Sequence, residues 1–178
     1  MRSASIEDAA AIVALVESAY RGDGSRQGWT TEADLLGGQR TDQEEVRALL
    51  GDPSAAICVA ALRGELVGSV CVRIDAPGLA SIGMFAVSPA LQRTGLGRAL
   101  LVEAEHEAAS RGAEAAEMTV IEQRPELIAW YARRGYHDTG ARRPFPYGNP
   151  RFGLPRRDDL RFVVLRKTIA LSAAPARR

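Results

Sequence analysis

The sequence predicts a single domain of mixed α/β (α+β) class. Three features carry that prediction: three β-rich runs in succession between residues 55 and 87, segments of helical periodicity before and after them, and no internal repeat or dividing linker. A chain of 178 residues buries roughly two-thirds of the surface its unfolded form exposes, so it needs no disulfide or metal to fold.

The first helix opens at Ser5, with Asp8 as its capping partner, and carries Ile6, Ala9, Ile12, Val13, Val16 and Tyr20 until Gly22-Asp23-Gly24 breaks the pattern. Thr31 with Asp34 and Thr41 with Glu44 resemble two further N-terminal caps; the second opens a helix bearing Val46, Leu49 and Leu50, which Gly51-Asp52-Pro53 ends. Residues 55–62, 66–75 and 80–87 form an antiparallel meander. A turn centred on Gly64-Glu65 would set Cys58 opposite Cys71, whereas a turn on Arg63-Gly64 would shift that register. Both cysteines read as small buried side chains. A helix follows from Gly95 to Ser110, with Leu96, Leu100, Leu101, Ala104 and Ala108 on one side and Gly112 as its stop. Next come a strand at about 114–121, a short helix from Pro125 with Leu127, Ile128 and Tyr131 on one face and Gly135 at its end, and a closing strand with Leu160, Phe162 and Val164 alternating. Residues 1–169 are read as the domain and 170–178 as a flexible tail.

The net charge of +1 gives no overall footprint for nucleic acid or a membrane surface. The N-terminus lacks the order of a signal peptide and no apolar run is long enough to span a bilayer, so a cytoplasmic location is expected. Two distant histidines, His106 and His137, and two strand cysteines lack metal-ligand spacing, and no metal is expected.

The strongest chemical signal is the run from Val87 through Gln92-Arg93-Thr94-Gly95-Leu96-Gly97-Arg98, a strand leading through a two-glycine loop into an amphipathic helix. Gly95 and Gly97 let the backbone approach an anion, the first helical turn offers unpaired N–H groups, and Arg93 and Arg98 add positive charge. A Walker loop would need Lys and Ser or Thr where Arg98-Ala99 stands, and a dinucleotide fingerprint would need a small residue at Leu100 and a tighter turn.

Gln92, Gly95 and Gly97 match the pyrophosphate loop of the GNAT superfamily of acetyl-CoA-dependent N-acetyltransferases, which the chain resembles over nearly its whole length. Phe85-Ala86-Val87-Ser88-Pro89 resembles the family's bulged strand, and Leu127 to Tyr136, with Tyr131 and Gly135, its downstream helix. The resemblance implies a twisted, mixed, mostly antiparallel sheet whose splayed strands hold the CoA. It implies main-chain contacts to the cofactor from Phe85, Ala86 and Val87, and from the loop Gln92, Arg93, Thr94, Gly95, Leu96, Gly97 and Arg98. Arg124 stands where the family carries Asn, so that contact is not carried over unchanged; Arg124 is counted with the cofactor residues by its place, with solvent as the alternative.

The implied reaction is direct attack of a primary amine, on a small molecule or peptide, upon the thioester of acetyl-CoA, with Tyr131 as the acid that protonates the departing sulfur. The position where some members carry a glutamate base falls near Ser81; Glu117, Glu122 or a water chain are the alternatives. Acceptor contacts are expected from residues 21–50 and 137–159. Trp29, Glu32 and Asp34 would seat a cationic amine, and Arg142, Arg143, Phe145, Tyr147 and Arg156 an anionic group, which together suggest an amino-acid-like acceptor. A homodimer is expected by analogy with the family. The competing reading is a GNAT-like module that binds acyl-CoA as a sensor without transfer.

Overall fold

The structure is a computed structural model, and it describes residues 1–169; the tail expected at 170–178 lies outside them. In chain order the elements are β1 (Arg2–Ser3), α1 (Ala9–Tyr20), α2 (Gly22–Ser25), β2 (Leu36–Gly37), α3 (Gln43–Gly51), β3 (Ala55–Leu62), β4 (Glu65–Ala76), β5 (Leu79–Val87) and α4 (Leu96–Ser110). They continue as β6 (Ala115–Ile121), α5 (Pro125–Ala132), β7 (His137–Pro144), β8 (Leu154–Pro155) and β9 (Arg161–Thr168). Among the described residues, seven strands form one sheet in the order β1-β3-β4-β5-β6-β9-β7, with β5 and β6 parallel and every other neighbouring pair antiparallel. No helix among the described residues is long and apolar enough to cross a membrane.

Alternation along the strands divides the core between the two faces of the sheet. Cys58 and Ala60 on β3, with Val70 and Val72 on β4, pack under Leu100, Leu101 and Ala104 of α4. Ile57 and Val59 turn the other way, toward Ile12, Leu15 and Val16 of α1 and Val46 of α3. The hairpin turn is Arg63-Gly64, both with positive φ (52° and 88°), which fits a tight two-residue hairpin. Ile57 therefore opposes Cys71, and Cys58 opposes Val70. The thiols face opposite sides of the sheet, and burial pushes each up to about 11.

Several expectations are corrected. Asp42, not Thr41, caps α3, its carboxylate accepting from the Glu45 N–H at 2.8 Å. Thr31 opens a side-chain turn to the Ala33 N–H (3.1 Å) rather than a helix. The first helix does end before Gly22-Asp23-Gly24, at Tyr20, and those three residues belong to the short helix α2. Residues 137–144, expected to be loop, are the edge strand β7, paired with β9. Val163, Val164 and Leu165 are all buried, so β9 is covered on both faces rather than alternating. The two-residue strands β2 and β8 pair Leu36 with Pro155 and Gly37 with Leu154, tying the segment after α2 to the long loop before β9.

Candidate active site

Two departures from regular pairing at the middle of the sheet create the site. Between the pairs Ser69–Ala86 and Cys71–Gly83 the register shifts, so Val70 alone faces both Met84 and Phe85, and Met84 takes a left-handed φ of 46°. This is a β-bulge, which bends its strand and re-aims its backbone groups. The parallel pairing of β5 with β6 covers only Leu79–Ala115, Ala80–Ala116 and Ser81–Glu117. Beyond Ser81 the two strands part, opening a wedge beside the bulge.

A cavity of about 400 Å³ lies on one side of this wedge, lined by Phe85, Ala86 and Val87 from β5 and by Gln92, Arg93, Gly95, Gly97 and Arg98 from the loop and α4. Arg93 (φ 67°) and Gly95 (φ 95°) are both left-handed and curl the loop, an arrangement that gathers main-chain N–H groups into an anion-binding concavity. Gly95 caps α4 without a side-chain bond, and helix geometry leaves the N–H groups of the following residues free of helical carbonyls. A Cβ at Gly97 would meet only ordinary contacts from Trp130 and Val87. Arg133 and Arg134 join Arg93, Arg98 and Arg124 in the lining, which holds no carboxylate. Arg134 stacks 3.5 Å from the Trp130 ring centroid, and burial, then Arg133 and Arg98, hold its pKa below the ordinary value. Arg124 is held by Glu32 from behind, but Arg93, Arg98, Arg133 and Arg134 have no carboxylate partner among the described residues, so the wall keeps a cationic surplus complementary to phosphate groups.

The other expected residues divide. The Gln92 side chain turns to the protein: its Oε1 accepts from the Trp29 N–H (2.9 Å) and its Nε2 donates to Val87 O (3.3 Å), which ties residues 28–29 to the loop. Trp29 accordingly lines the same cavity. Thr94 donates back to Leu91 O at 2.7 Å, and Leu96 packs on the core; neither lines the cavity.

Tyr131, on α5, also lines this cavity. It is 5% exposed, sits in an edge-on aromatic cluster with Trp130 (4.9 Å), Tyr136 (5.8 Å) and Phe85 (6.4 Å), and its hydroxyl makes no hydrogen bond among the described residues. Burial, then the neighbouring Tyr20, push its phenol well above the ordinary value, so it is protonated throughout the physiological range. Tyr20, at the end of α1, donates to Phe85 O at 2.5 Å and so braces the bulge.

A second cavity, about 140 Å³, opens on the opposite side of the junction and shares Tyr20, Phe85, Arg124, Leu127 and Tyr131 with the first. Glu32 and Arg40 also line it. Glu32, buried at 7% exposure, accepts from Arg21 Nη1 (2.8 Å) and Arg124 Nη1 (2.9 Å), with Arg40 Nε at 3.9 Å. Burial raises the Glu32 pKa, but the fields of Arg124, Arg40 and Arg21 outweigh it and hold the carboxyl below its ordinary value. Already engaged by three guanidiniums, Glu32 is a poor seat for a cationic amine. Arg124 is 4% exposed and also donates to Thr30 Oγ1 at 2.5 Å, so it faces both cavities rather than solvent.

Glu122 and Arg142 line neither cavity. They pair with each other at 3.1 Å on a shallow surface at the β7 edge, where Arg161 also binds Glu122. Glu117 is held by Arg166 and Arg143, away from the junction. Sequence reasoning missed Tyr20, Arg40, Thr30, Trp130, Arg133 and Arg134. Tyr20 read as one more apolar position of α1, and Arg40 as one charge in a polar stretch; neither carries a local signal of its role.

A family model described as the acetyltransferase (GNAT) family matches residues 15–136. No curated protein matches the chain by sequence. Among solved structures, the ribosomal-protein-S18-alanine N-acetyltransferase from Escherichia coli aligns with a TM-score of 0.69 at 16% identity, over 99% of this chain and 97% of that one. A GNAT-family acetyltransferase from Streptococcus pneumoniae gives 0.65 at 18% identity, over 95% and 98%. One from Elizabethkingia anophelis with acetyl-CoA bound gives 0.56 at 16% identity, over 70% and 82%. At these identities the likeness is one of fold.

Proposed function

Because the chain belongs to the GNAT acetyltransferase family, we propose that it transfers an acetyl group from acetyl-CoA to a primary amine by direct attack within a ternary complex. The observation that carries this reading is the pair of cavities meeting at Phe85 and Tyr131, one cationic and large, the other small. The residues fit the donor: the curled loop with Gly95 and Gly97, and Arg93, Arg98, Arg133 and Arg134, which have no carboxylate partner among the described residues, suit a diphosphate, and the wedge beside the bulge suits an extended arm. A structural neighbour that holds acetyl-CoA supports the choice of donor.

In this account the Phe85–Val87 main chain holds the arm and directs an N–H toward the thioester oxygen, where a preorganised donor stabilises developing negative charge. One such donor is worth about 3–4 kcal/mol, and bringing amine and thioester into register roughly 7–11 kcal/mol. Tyr20 keeps the bulge in place through Phe85 O. Tyr131, neutral and unengaged, delivers its proton to the departing sulfur and is restored from solvent. Among the described residues no unpaired carboxylate lines the junction, so the amine loses its proton to water.

The test is release of free thiol from acetyl-CoA in the presence of a library of amines. Acceptor-dependent release is the expected result. A protein that binds CoA yet releases no thiol with any amine would instead be a non-transferring acyl-CoA sensor.

A further inference from the structure

The second cavity has a charge imbalance that the transfer reaction alone does not require. Three guanidiniums, of Arg21, Arg40 and Arg124, surround one buried carboxylate, Glu32. The nearest other acids do not cancel the surplus. Glu126 approaches Arg124 Nε only to 3.7 Å, is substantially exposed, and accepts from Thr30. Glu17 is turned to the main chain, where it accepts from the N–H groups of Arg40 and Thr41. Arg124 Nε, with Arg21 Nε and Nη2, is buried without a hydrogen-bond partner. The Arg40 guanidinium makes no hydrogen bond among the described residues; it lies 5.4 Å over the Tyr20 ring and lines the cavity beside Arg124. One carboxylate cannot offset three guanidiniums, and Arg40, partly exposed toward the cavity with its donors unused, is a planar fork that matches a carboxylate. The facing wall is apolar, formed by Leu36, Phe145, Phe152 and Phe162.

Resting on the transfer reading above, we propose that the acceptor is a small amine bearing both a carboxylate and an apolar side chain, and that Arg40, next to Arg124, recognises the carboxylate. The amine then faces Phe85 and Tyr131, and the side chain lies on the aromatic wall. Arg40 is thus the specificity residue of the acceptor site, in place of the more distant Arg142. A peptide N-terminus, which lacks the adjacent carboxylate, fits this cavity less well than a free amino acid.

The experiment compares leucine, leucinamide and isoamylamine as acceptors, by thiol release from acetyl-CoA, in the wild-type chain and in Arg40→Gln and Arg40→Lys. The expected result is a preference for leucine, by kcat/KM, of about 10–100-fold over both analogues that lack the carboxylate, the range for loss of a charge-assisted hydrogen bond. Arg40→Gln lowers kcat/KM for leucine toward that for leucinamide, and Arg40→Lys keeps part of the preference. Leucinamide or isoamylamine turned over as well as leucine by the wild-type chain, or a preference undiminished in Arg40→Gln, would overturn the inference while leaving the transfer reading intact. CoA binding without thiol release from leucine would also overturn it. Failure to bind CoA at all would instead remove the transfer reading beneath it.

Discussion

Two tyrosines meet at the junction of the cavities and differ in what their hydroxyls do. That of Tyr20 is committed to Phe85 O, whereas Tyr131 lines both cavities with a hydroxyl that has no hydrogen-bond partner among the described residues, the condition for a proton donor. Tyr131→Phe should lower turnover by about 10²–10⁴-fold while CoA affinity stays within a few-fold, since the ring and its packing are retained; steady-state kinetics beside a CoA titration measure both. Glu32 makes a contrasting prediction about stability. Its pKa is depressed in the folded state, so its contribution is full above the ordinary carboxylate value and is lost as pH falls through the lower, folded one. Glu32→Gln leaves three guanidiniums without their counterion and should cost about 3–5 kcal/mol at pH 7. The gap from wild type should narrow below about pH 4, as followed by urea unfolding at several pH values.

Elements meet through small residues at two places. Gly68 on β4 lies directly under α4, where a Cβ would overlap Leu100 Cδ1, and Leu100 is fully buried, so its side chain would have to shift within the core. Gly68→Ala should therefore overpack the interface by about 1–3 kcal/mol, seen as a fall in Tm of roughly 2–4 °C per kcal/mol. Gly28 abuts the Gln92 amide in the same way, which leaves room for the hydrogen bond from the Trp29 N–H to Gln92 and keeps Trp29 at the larger cavity. The elements that define this frame were legible because their periodicities are strong. Leu100, Leu101, Ala104 and Ala108 mark the buried stripe of α4, and AAICVAAL could be little but a strand. β7 was not legible: in HDTGARRP every residue is exposed, so no apolar alternation exists, and only pairing with β9 makes it a strand. The α3 cap was misplaced by one residue because Thr41 and Asp42 are both good capping residues, and tertiary contacts of Thr41 with Glu17 and Glu45 decide between them.

For the molecule as a whole, the wedge depends on how far two strands pair, a quantity that composition and periodicity do not encode. Three parallel pairs at the start of β5 and β6 hold the strands together, and the bulge at Met84-Phe85 turns them apart. The two-glycine loop leading into α4 was visible in sequence because glycine spacing and a helix start are local; the splay was reached through the family resemblance. The charge cluster of Glu32 with Arg21, Arg40 and Arg124 draws on residues up to 103 positions apart, which is why its single-residue signals looked like surface charge. Acetyl transfer as proposed requires main-chain amides and arginines at the β5–α4 junction to hold a diphosphate. Titration calorimetry of the folded chain with CoA tests it most directly, alongside Gly97→Glu, which places bulk and negative charge in the cradle. One CoA should bind per wild-type chain and none to Gly97→Glu, with the unfolding midpoint of the variant retained. No heat of binding from well-folded wild-type protein with either CoA or acetyl-CoA, or unaltered affinity in Gly97→Glu, would contradict it.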